Sequence, residues 1–176
     1  MIRIKKTLPQ KNFVISSSLF RRFFDDTLTS YVKKTYLPSK KSIHAVKPFS
    51  RVDAQFFLKG IRELSSEFKE QKTHQFFKAQ KNYFNLAKFR SSYILYFLPL
   101  HLSKFYLIFQ KHLTGNHPAL QGSATLKVLD LGSGPGTASF AFLLWLLENK
   151  IKVGKIEFTW LDQNQAILED GLKILE

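Results

Sequence analysis

Three glycines alternate in the C-terminal third of this chain, and they offer its clearest chemistry: Gly132, Gly134 and Gly136. Glycine reaches positive φ and lets the backbone approach a ligand closely, because it has no Cβ. An apolar run at 126–131 precedes these glycines, and a second apolar run at 140–147 follows them. This order predicts a strand, a tight glycine turn and a helix, which together open a βαβ unit that binds a nucleotide-like ligand.

The start of the predicted helix is suited to an anionic group. Free N–H groups and the positive end of the helix dipole favour a carboxylate or phosphate there. Ser133 lies within the turn, and Thr137 is the predicted N-cap. Asp130 lies in the preceding strand, where a carboxylate is seldom buried without a partner. We therefore expect Asp130 to have a functional role.

A second carboxylate, Asp162, follows a predicted strand at Lys155 to Leu161. It lies about 30 residues after Asp130, which is close to the length of one βαβ unit. A carboxylate at the end of the second strand can accept two hydrogen bonds from a ribose diol. Its alternative role is to cap the next helix, which we predict to begin at Gln163.

Composition excludes several classes of site. The 176 residues include no cysteine, so disulfides, thiolate metal ligands and cysteine nucleophiles are absent. The five histidines do not follow the spacing of a known metal loop, and we assign no metal. No Ser/His/Asp arrangement stands out, so the sequence identifies no catalytic residue.

The charge of +14 is unevenly distributed. Residues 1–126 hold 22 Lys and Arg against 6 Asp and Glu, whereas residues 127–176 hold 5 against 7. A basic, aromatic-rich region suits an RNA or ribosomal surface. The alternative is a lysine-rich face that is only solvated.

The pattern divides the chain into a basic helical region at 1–114, a linker at 115–125 and the nucleotide-binding part at 126–176. Apolar spacing predicts helices at Ser18 to Tyr36 and Lys72 to Lys88. A third begins at Ser50, which forms the capping-box spacing with Asp53.

The most apolar stretch, Ser91 to Leu113, predicts two buried helices that meet at a break at Pro99. Polar residues interrupt it, so we predict no membrane span. Met1 to Asn12 lacks the apolar core of a secretory signal. Its basic residues could begin a mitochondrial presequence, but such presequences avoid acids and Asp25 and Asp26 come soon after, so we expect a cytoplasmic protein and keep the mitochondrial matrix as the alternative.

The Gly-x-Gly-x-Gly pattern, with Asp130 two residues before the first glycine, resembles motif I of the class I S-adenosylmethionine-dependent methyltransferases. Nicotinamide dinucleotides usually select Gly-x-Gly-x-x-Gly, which disfavours that cofactor here. The order of Ser92-Tyr-Ile-Leu-Tyr-Phe-Leu-Pro99 and then Val128-Leu-Asp-Leu-Gly-Ser-Gly-Pro-Gly-Thr137 resembles the small-ribosomal-subunit methyltransferase-like family of bacteria and mitochondria. Where that family has an arginine before the proline, this chain has Phe97.

The resemblance implies an α/β fold: an N-terminal helical region followed by the first βαβ part of a Rossmann-like class I methyltransferase domain. It implies S-adenosylmethionine as cofactor and the small ribosomal subunit and its rRNA as partners. The implied cofactor-binding residues are Asp130, Gly132, Ser133, Gly134, Gly136, Thr137, Asp162 and Gln163. Two parallel strands cannot cover both faces of such a sheet, so we expect an incomplete domain, inactive alone, whose acceptor site lies elsewhere.

Three functions stay open at this point. The first is an S-adenosylmethionine-dependent methyltransferase of small-subunit rRNA. The second is a non-catalytic ribosome assembly factor on a methyltransferase scaffold. The third is a class I methyltransferase of a non-RNA substrate, which would show little salt dependence of any RNA affinity.

Overall fold

A computed structural model describes residues 18–37, 49–69, 83–115, 120 and 125–176 of the chain. These residues are mostly helical and include a small two-stranded parallel sheet, which confirms a mixed α/β architecture. The predictions for Met1 to Asn12, for the first part of the helix at Lys72 to Lys88 and for most of the linker lie outside the described residues.

The first helical run agrees with its predicted bounds. It consists of α1 (Ser18–Arg22), a π-helical turn (Phe23–Leu28) and α2 (Thr29–Tyr36). Leu28 and Val32 lie one turn apart on its inner face and are fully buried. Their burial confirms the amphipathic pattern, because the apolar stripe faces the core.

The next helix, α3 (Arg51–Lys69), confirms the predicted capping box. The Ser50 N–H donates to Asp53 Oδ2 at 3.1 Å, and the Asp53 N–H donates to Ser50 Oγ at 3.2 Å. Each side chain thus satisfies a backbone donor that the start of a helix leaves free.

Residues 83–112 form a second helical run. A 3₁₀ turn (Tyr83–Asn85) leads to α4 (Ala87–Ser92), a π-helical turn (Tyr93–Phe97) and α5 (Leu98–His112). The prediction of a helix that continues to Lys88 is wrong at its described end, because Leu86 is extended and separates the 3₁₀ turn from α4.

The predicted break at Pro99 is also wrong, since the helical run passes through it. The Leu98 N–H donates to Tyr93 O, five residues back, so the π-helical turn shifts the hydrogen-bond ladder just before the proline. Pro99 then stands in the first turn of α5, where a missing N–H costs least.

By length and composition alone, the run Ala87–His112 could cross a membrane, although a core helix passes the same test. One third of its most apolar window is buried within the described structure. α5 packs against a later helix, α6 (Thr137–Glu148), and Leu98 and Leu102 of α5 are fully buried.

The C-terminal part, residues 126–176, forms the predicted βαβ order. β1 (Thr125–Leu131), α6, β2 (Lys155–Leu161) and α7 (Gln165–Leu175) follow one another. The strands are parallel, and their register runs from Thr125 opposite Lys155 to Leu131 opposite Leu161. The carboxyl ends of both strands therefore meet at one edge of the sheet, where open α/β sheets bind ligands.

The two faces of this sheet differ in burial. The inner face packs against the core through Leu126, Val128, Ile156, Phe158 and Trp160. The outer face leaves Leu129, Leu131 and Leu161 exposed by 60%, 69% and 52%. Parallel sheets normally have both faces covered, so the described residues supply only half of the expected packing.

One cluster of buried side chains joins the helical region to the βαβ unit. Leu28, Val32 and Leu98 belong to the same cluster as Trp145 of α6 and Ile167 of α7. Because burial of apolar surface stabilises the packed state, this shared cluster fixes the helical region against the unit that carries the glycine turn.

Candidate functional site

The glycine turn lies between β1 and α6, at the carboxyl edge of the sheet. All three glycines adopt positive φ, with values of 66° at Gly132, 53° at Gly134 and 81° at Gly136. The N–H groups of Gly132 and Ser133 both donate to Leu161 O, at 2.7 and 3.1 Å. These bonds tie the turn to the end of β2 and hold both strand ends at one place.

The predicted N-cap is wrong by one residue. Gly136 is the cap of α6, and Thr137 is the first helical residue with no capping hydrogen bond. The left-handed conformation of Gly136 disfavours any residue with a Cβ. A Cβ there would also lie 2.6 Å from Cη2 of Trp160, whose indole packs beneath the turn.

The other two turn glycines are less crowded. Among the described residues, an ideal Cβ at Gly132 meets no atom within 4 Å, and one at Gly134 meets only the Tyr93 hydroxyl, at 4.0 Å. Gly136 is thus explained by packing against the protein itself. Gly132 instead keeps room beside the backbone, as a closely approaching ligand requires.

Two buried hydroxyls of this turn have no hydrogen-bond partner among the described residues: Ser133 Oγ and Thr137 Oγ1. Their residues are only 4% and 5% exposed. An unpaired buried hydroxyl costs about 1–3 kcal/mol, and most are paired in native proteins. A ligand with acceptor atoms at the start of α6 would satisfy both.

Asp162 faces the turn. The Gly134 N–H donates to Asp162 Oδ2 at 2.9 Å, and the Asn164 N–H donates to Oδ1 at 2.9 Å. Asp162 is not the cap of α7, because Asn164 occupies that position and accepts a bond from the Ile167 N–H at 3.1 Å. The carboxylate has acceptor capacity for further donors.

Asp130 lies on the inner side of the sheet and contacts α6. The Ser139 N–H and Oγ–H both donate to Asp130 Oδ2, at 3.2 and 2.7 Å. Trp160 Nε1–H in turn donates to Ser139 Oγ at 2.8 Å. Asp130 therefore satisfies a backbone donor in the first turn of α6 and connects β1, α6 and β2.

The structure gathers most of the predicted site at one edge. Those brought together are Gly132, Ser133, Gly134, Gly136, Thr137 and Asp162. Asp130 binds Ser139 on the inner face. Gln163 is exposed beside the strand end.

Two tyrosines of the helical region lie near the turn or near Asp162, and no sequence pattern predicted this position for either of them. Tyr93, in the π-helical turn, places its hydroxyl nearest to Gly134, and that hydroxyl lies 3.5 Å from His101 Nδ1. Tyr83 lies close enough to Tyr93 and Asp162 to respond to their charges. Tyr93 belongs to the stretch that carries the family resemblance, but no local pattern directs its side chain to the turn.

Both hydroxyls are protonated at neutral pH. Burial raises the pKa of Tyr83, and the charges of Tyr93 and Asp162 add to the rise. Burial also raises the pKa of Tyr93, the nearby Thr137 hydroxyl opposes the rise, and Asp162 adds to it. The Thr137 hydroxyl is near enough to lower the pKa of Tyr93, but the two hydroxyls do not meet the geometry of a hydrogen bond. Burial and the charge of Lys104 lower the pKa of His101, which favours a neutral imidazole.

A buried ion pair holds the helical region to α7, directly behind the turn. Asp170 accepts hydrogen bonds from the hydroxyls of Tyr31, at 2.7 Å, and Tyr36, and it pairs with Arg90 Nε at 3.0 Å. Burial, followed by the hydrogen bond to Asp170, raises the pKa of both tyrosines, so each stays a donor.

This ion pair lies one residue away from the contact between α7 and the turn. A Cβ at Gly171 would lie 2.6 Å from the carbonyl carbon of Pro135, so the helix and the turn are in direct backbone contact. The position of the glycine turn therefore depends on α7, and that of α7 depends on Asp170.

No group of three or more His, Asp or Glu side chains that could hold a metal ion occurs among the described residues. The chemistry of the site is that of hydrogen-bond donors, one carboxylate and open backbone. Searches with the chain match no protein-family model, no curated protein and no solved structure.

Proposed function

We propose that the chain is an S-adenosylmethionine-dependent methyltransferase-like protein that acts on small-subunit rRNA or in assembly of the small ribosomal subunit. One observation carries the cofactor assignment: the buried, unpartnered hydroxyls of Ser133 and Thr137 stand beside an open glycine turn that faces Asp162. Donors on one side and a carboxylate on the other match a ligand with both an anionic end and a sugar diol. The finer description of the fold, a Rossmann-like class I methyltransferase half, is part of the same proposal.

The residues of the turn would bind and orient such a cofactor. Ser133, Thr137 and the start of α6 favour its carboxylate, because hydroxyl donors and the helix dipole both stabilise negative charge. Asp162 would exchange its bond to the Gly134 N–H for the hydroxyls of the ribose. The cofactor supplies an electrophilic methyl group, and transfer of that group depends mainly on the positioning of two partners.

The helical region supports an RNA partner through its charge. Its described, exposed basic side chains are Arg21, Arg22, Lys34, Arg51, Lys59, Arg62, Lys104 and Lys111. Phosphate groups attract such a surface whatever the base sequence. This region also shares a core with the βαβ unit that carries the glycine turn, so RNA bound to it would lie on the same folded body as the cofactor.

One contact favours a second candidate, a non-catalytic assembly factor on the same scaffold. Asp162 binds the Gly134 N–H, so the chain itself satisfies the donor at the centre of the turn. A turn closed in this way would serve to hold β1, β2 and α6 together, without any ligand.

Ligand titration distinguishes the two candidates. We expect S-adenosylhomocysteine to bind the 176-residue chain in isothermal titration, and Asp162→Ala to weaken binding about tenfold or more, because hydrogen bonds to a charged group contribute about 1.5–3 kcal/mol. Glu169→Ala is the matched control, since Glu169 is an exposed carboxylate that accepts a hydrogen bond from Gln165 on the surface of α7.

A thermal melt of each variant separates loss of ligand from loss of fold. Absence of binding by the unmodified chain would contradict the cofactor assignment and leave the assembly factor as the better proposal. Equal binding by Asp162→Ala and Glu169→Ala would contradict the role of Asp162.

A further inference from the structure

The helical region contributes a polar group to the glycine turn that packing does not require. Tyr93 is surrounded by aromatic rings, with Phe84 edge-on at 5.1 Å and Phe97 stacked at 5.7 Å between ring centroids. Phe89 and Phe97 of the same helical run fill the core without a hydroxyl. A phenylalanine at 93 would make the same ring contacts, so ring packing does not account for the hydroxyl, whose protein contact is with His101 Nδ1 at 3.5 Å.

That hydroxyl lies beside the glycine turn. Among the described residues, it is the only atom within 4 Å of an ideal Cβ at Gly134, at 4.0 Å, and Gly132 has no neighbour within that distance. The Thr137 hydroxyl lies near that of Tyr93, and neither it nor the Ser133 hydroxyl has a hydrogen-bond partner among the described residues. Three hydroxyl groups from two parts of the chain therefore lie at the glycine turn and the start of α6.

The charges around the glycine turn indicate which part of a ligand would lie beside these hydroxyls. Hydroxyl donors and the N-terminus of α6 favour an acceptor or an anion, whereas Asp162 repels an anion and attracts hydroxyl groups. Asp162 lies on the β2 side, where it binds the Gly134 N–H and the Asn164 N–H. The anionic end of a ligand would thus lie toward Ser133, Thr137 and Tyr93.

We propose that the Tyr93 hydroxyl is a ligand-binding group, which the helical region holds over the glycine turn to donate a hydrogen bond to the carboxylate of the bound amino-acid nucleoside. In the tautomer that carries its proton on Nδ1, His101 donates to the Tyr93 oxygen at 3.5 Å and leaves the hydroxyl proton for the ligand. The helical region then completes the cofactor site as well as facing RNA. This inference rests on the proposed function, because it assigns one end of the same ligand.

Ligand truncation tests the inference. S-adenosylhomocysteine carries the amino-acid carboxylate, and 5′-methylthioadenosine lacks it but keeps the nucleoside. We expect Tyr93→Phe to weaken S-adenosylhomocysteine about tenfold in isothermal titration and to leave methylthioadenosine unchanged, because only the first ligand loses a hydrogen bond to a charged group. Comparison of two ligands on one variant removes any general effect of the substitution on folding.

Tyr96→Phe is the control variant, since Tyr96 is 47% exposed in the same π-helical turn. It should bind both ligands as the unmodified chain does. Equal binding of S-adenosylhomocysteine by Tyr93→Phe and Tyr96→Phe would overturn the inference and leave the proposed function intact, as would an equal loss for both ligands. Failure of the unmodified chain to bind either ligand would overturn the proposed function and this inference with it.

Discussion

At the scale of single residues, the three turn glycines serve two purposes. Gly136 is required by the protein, because its left-handed conformation and the indole of Trp160 leave no room for a side chain. Gly132 has a similar φ, but no atom of the described part of the chain lies within 4 Å of the position that its Cβ would take. The same residue type therefore secures the packing of the turn at one position and keeps space open at another.

We expect Gly136→Ala to lower the free energy of unfolding by about 3 kcal/mol, since left-handed strain and overpacking against Trp160 each contribute. Gly132→Ala has only the strain and should lose about 1 kcal/mol. Urea denaturation of the two variants measures the difference. A loss for Gly132→Ala equal to that for Gly136→Ala would contradict the packing role of Trp160.

At the scale of elements, a buried carboxylate joins three helices that the sequence places far apart. Asp170 of α7 binds Tyr31 and Tyr36 of α2 and Arg90 of α4. Its side chain is 6% exposed, and that of Arg90 is 19% exposed. Since Gly171 contacts Pro135, the same helix also supports the glycine turn.

We expect Asp170→Asn to destabilise the chain by about 3 kcal/mol, because it leaves the partly buried guanidinium of Arg90 without its counter-charge. Arg90→Met in the same background should restore part of the loss, a coupling that urea denaturation of the single and double variants measures. The control, Glu157→Gln, breaks the exposed pair with Lys155 and should cost less than about 1 kcal/mol. A cost for Asp170→Asn as small as that of the control would contradict the role of this ion pair.

At the scale of the whole molecule, the basic charge and the candidate ligand site lie in adjoining parts. The helical region carries the excess of Lys and Arg, and the hydroxyl of its Tyr93 lies beside Gly134 of the glycine turn. Under the proposed function, α3 is part of the RNA surface, because Lys59 and Arg62 are exposed on it.

The salt dependence of RNA binding tests that arrangement. Replacement of Lys59 and Arg62 by alanine should reduce the slope of log affinity against log salt concentration by about 1.5, since each lost phosphate contact removes about 0.7–0.9. The charge-matched control replaces Lys152 and Lys173, which are exposed in the βαβ unit. Fluorescence anisotropy with a labelled RNA hairpin measures both slopes. Equal slopes for the two double variants would exclude α3 from the RNA surface.

Sequence alone determined the features that depend on neighbouring residues. The capping box of Ser50 and Asp53, both strands and the glycine turn lie where the local pattern predicted them. Their causes are local, because φ preferences, capping bonds and apolar periodicity act within a few residues. Two predictions from local rules are wrong, because Pro99 does not break its helix and Gly136 rather than Thr137 caps α6.

Only the tertiary structure decided which distant groups meet. Tyr31 bonds Asp170 across 139 positions of sequence, and the Tyr93 hydroxyl comes to lie beside Gly134. The tertiary structure also directed Asp130 toward Ser139 and Asp162 toward the turn, although each carboxylate directly follows a leucine near the end of an apolar strand. The physical reason is that side-chain direction at such positions follows from how whole helices pack against the sheet, and that packing is set by burial of apolar surface contributed by the entire chain.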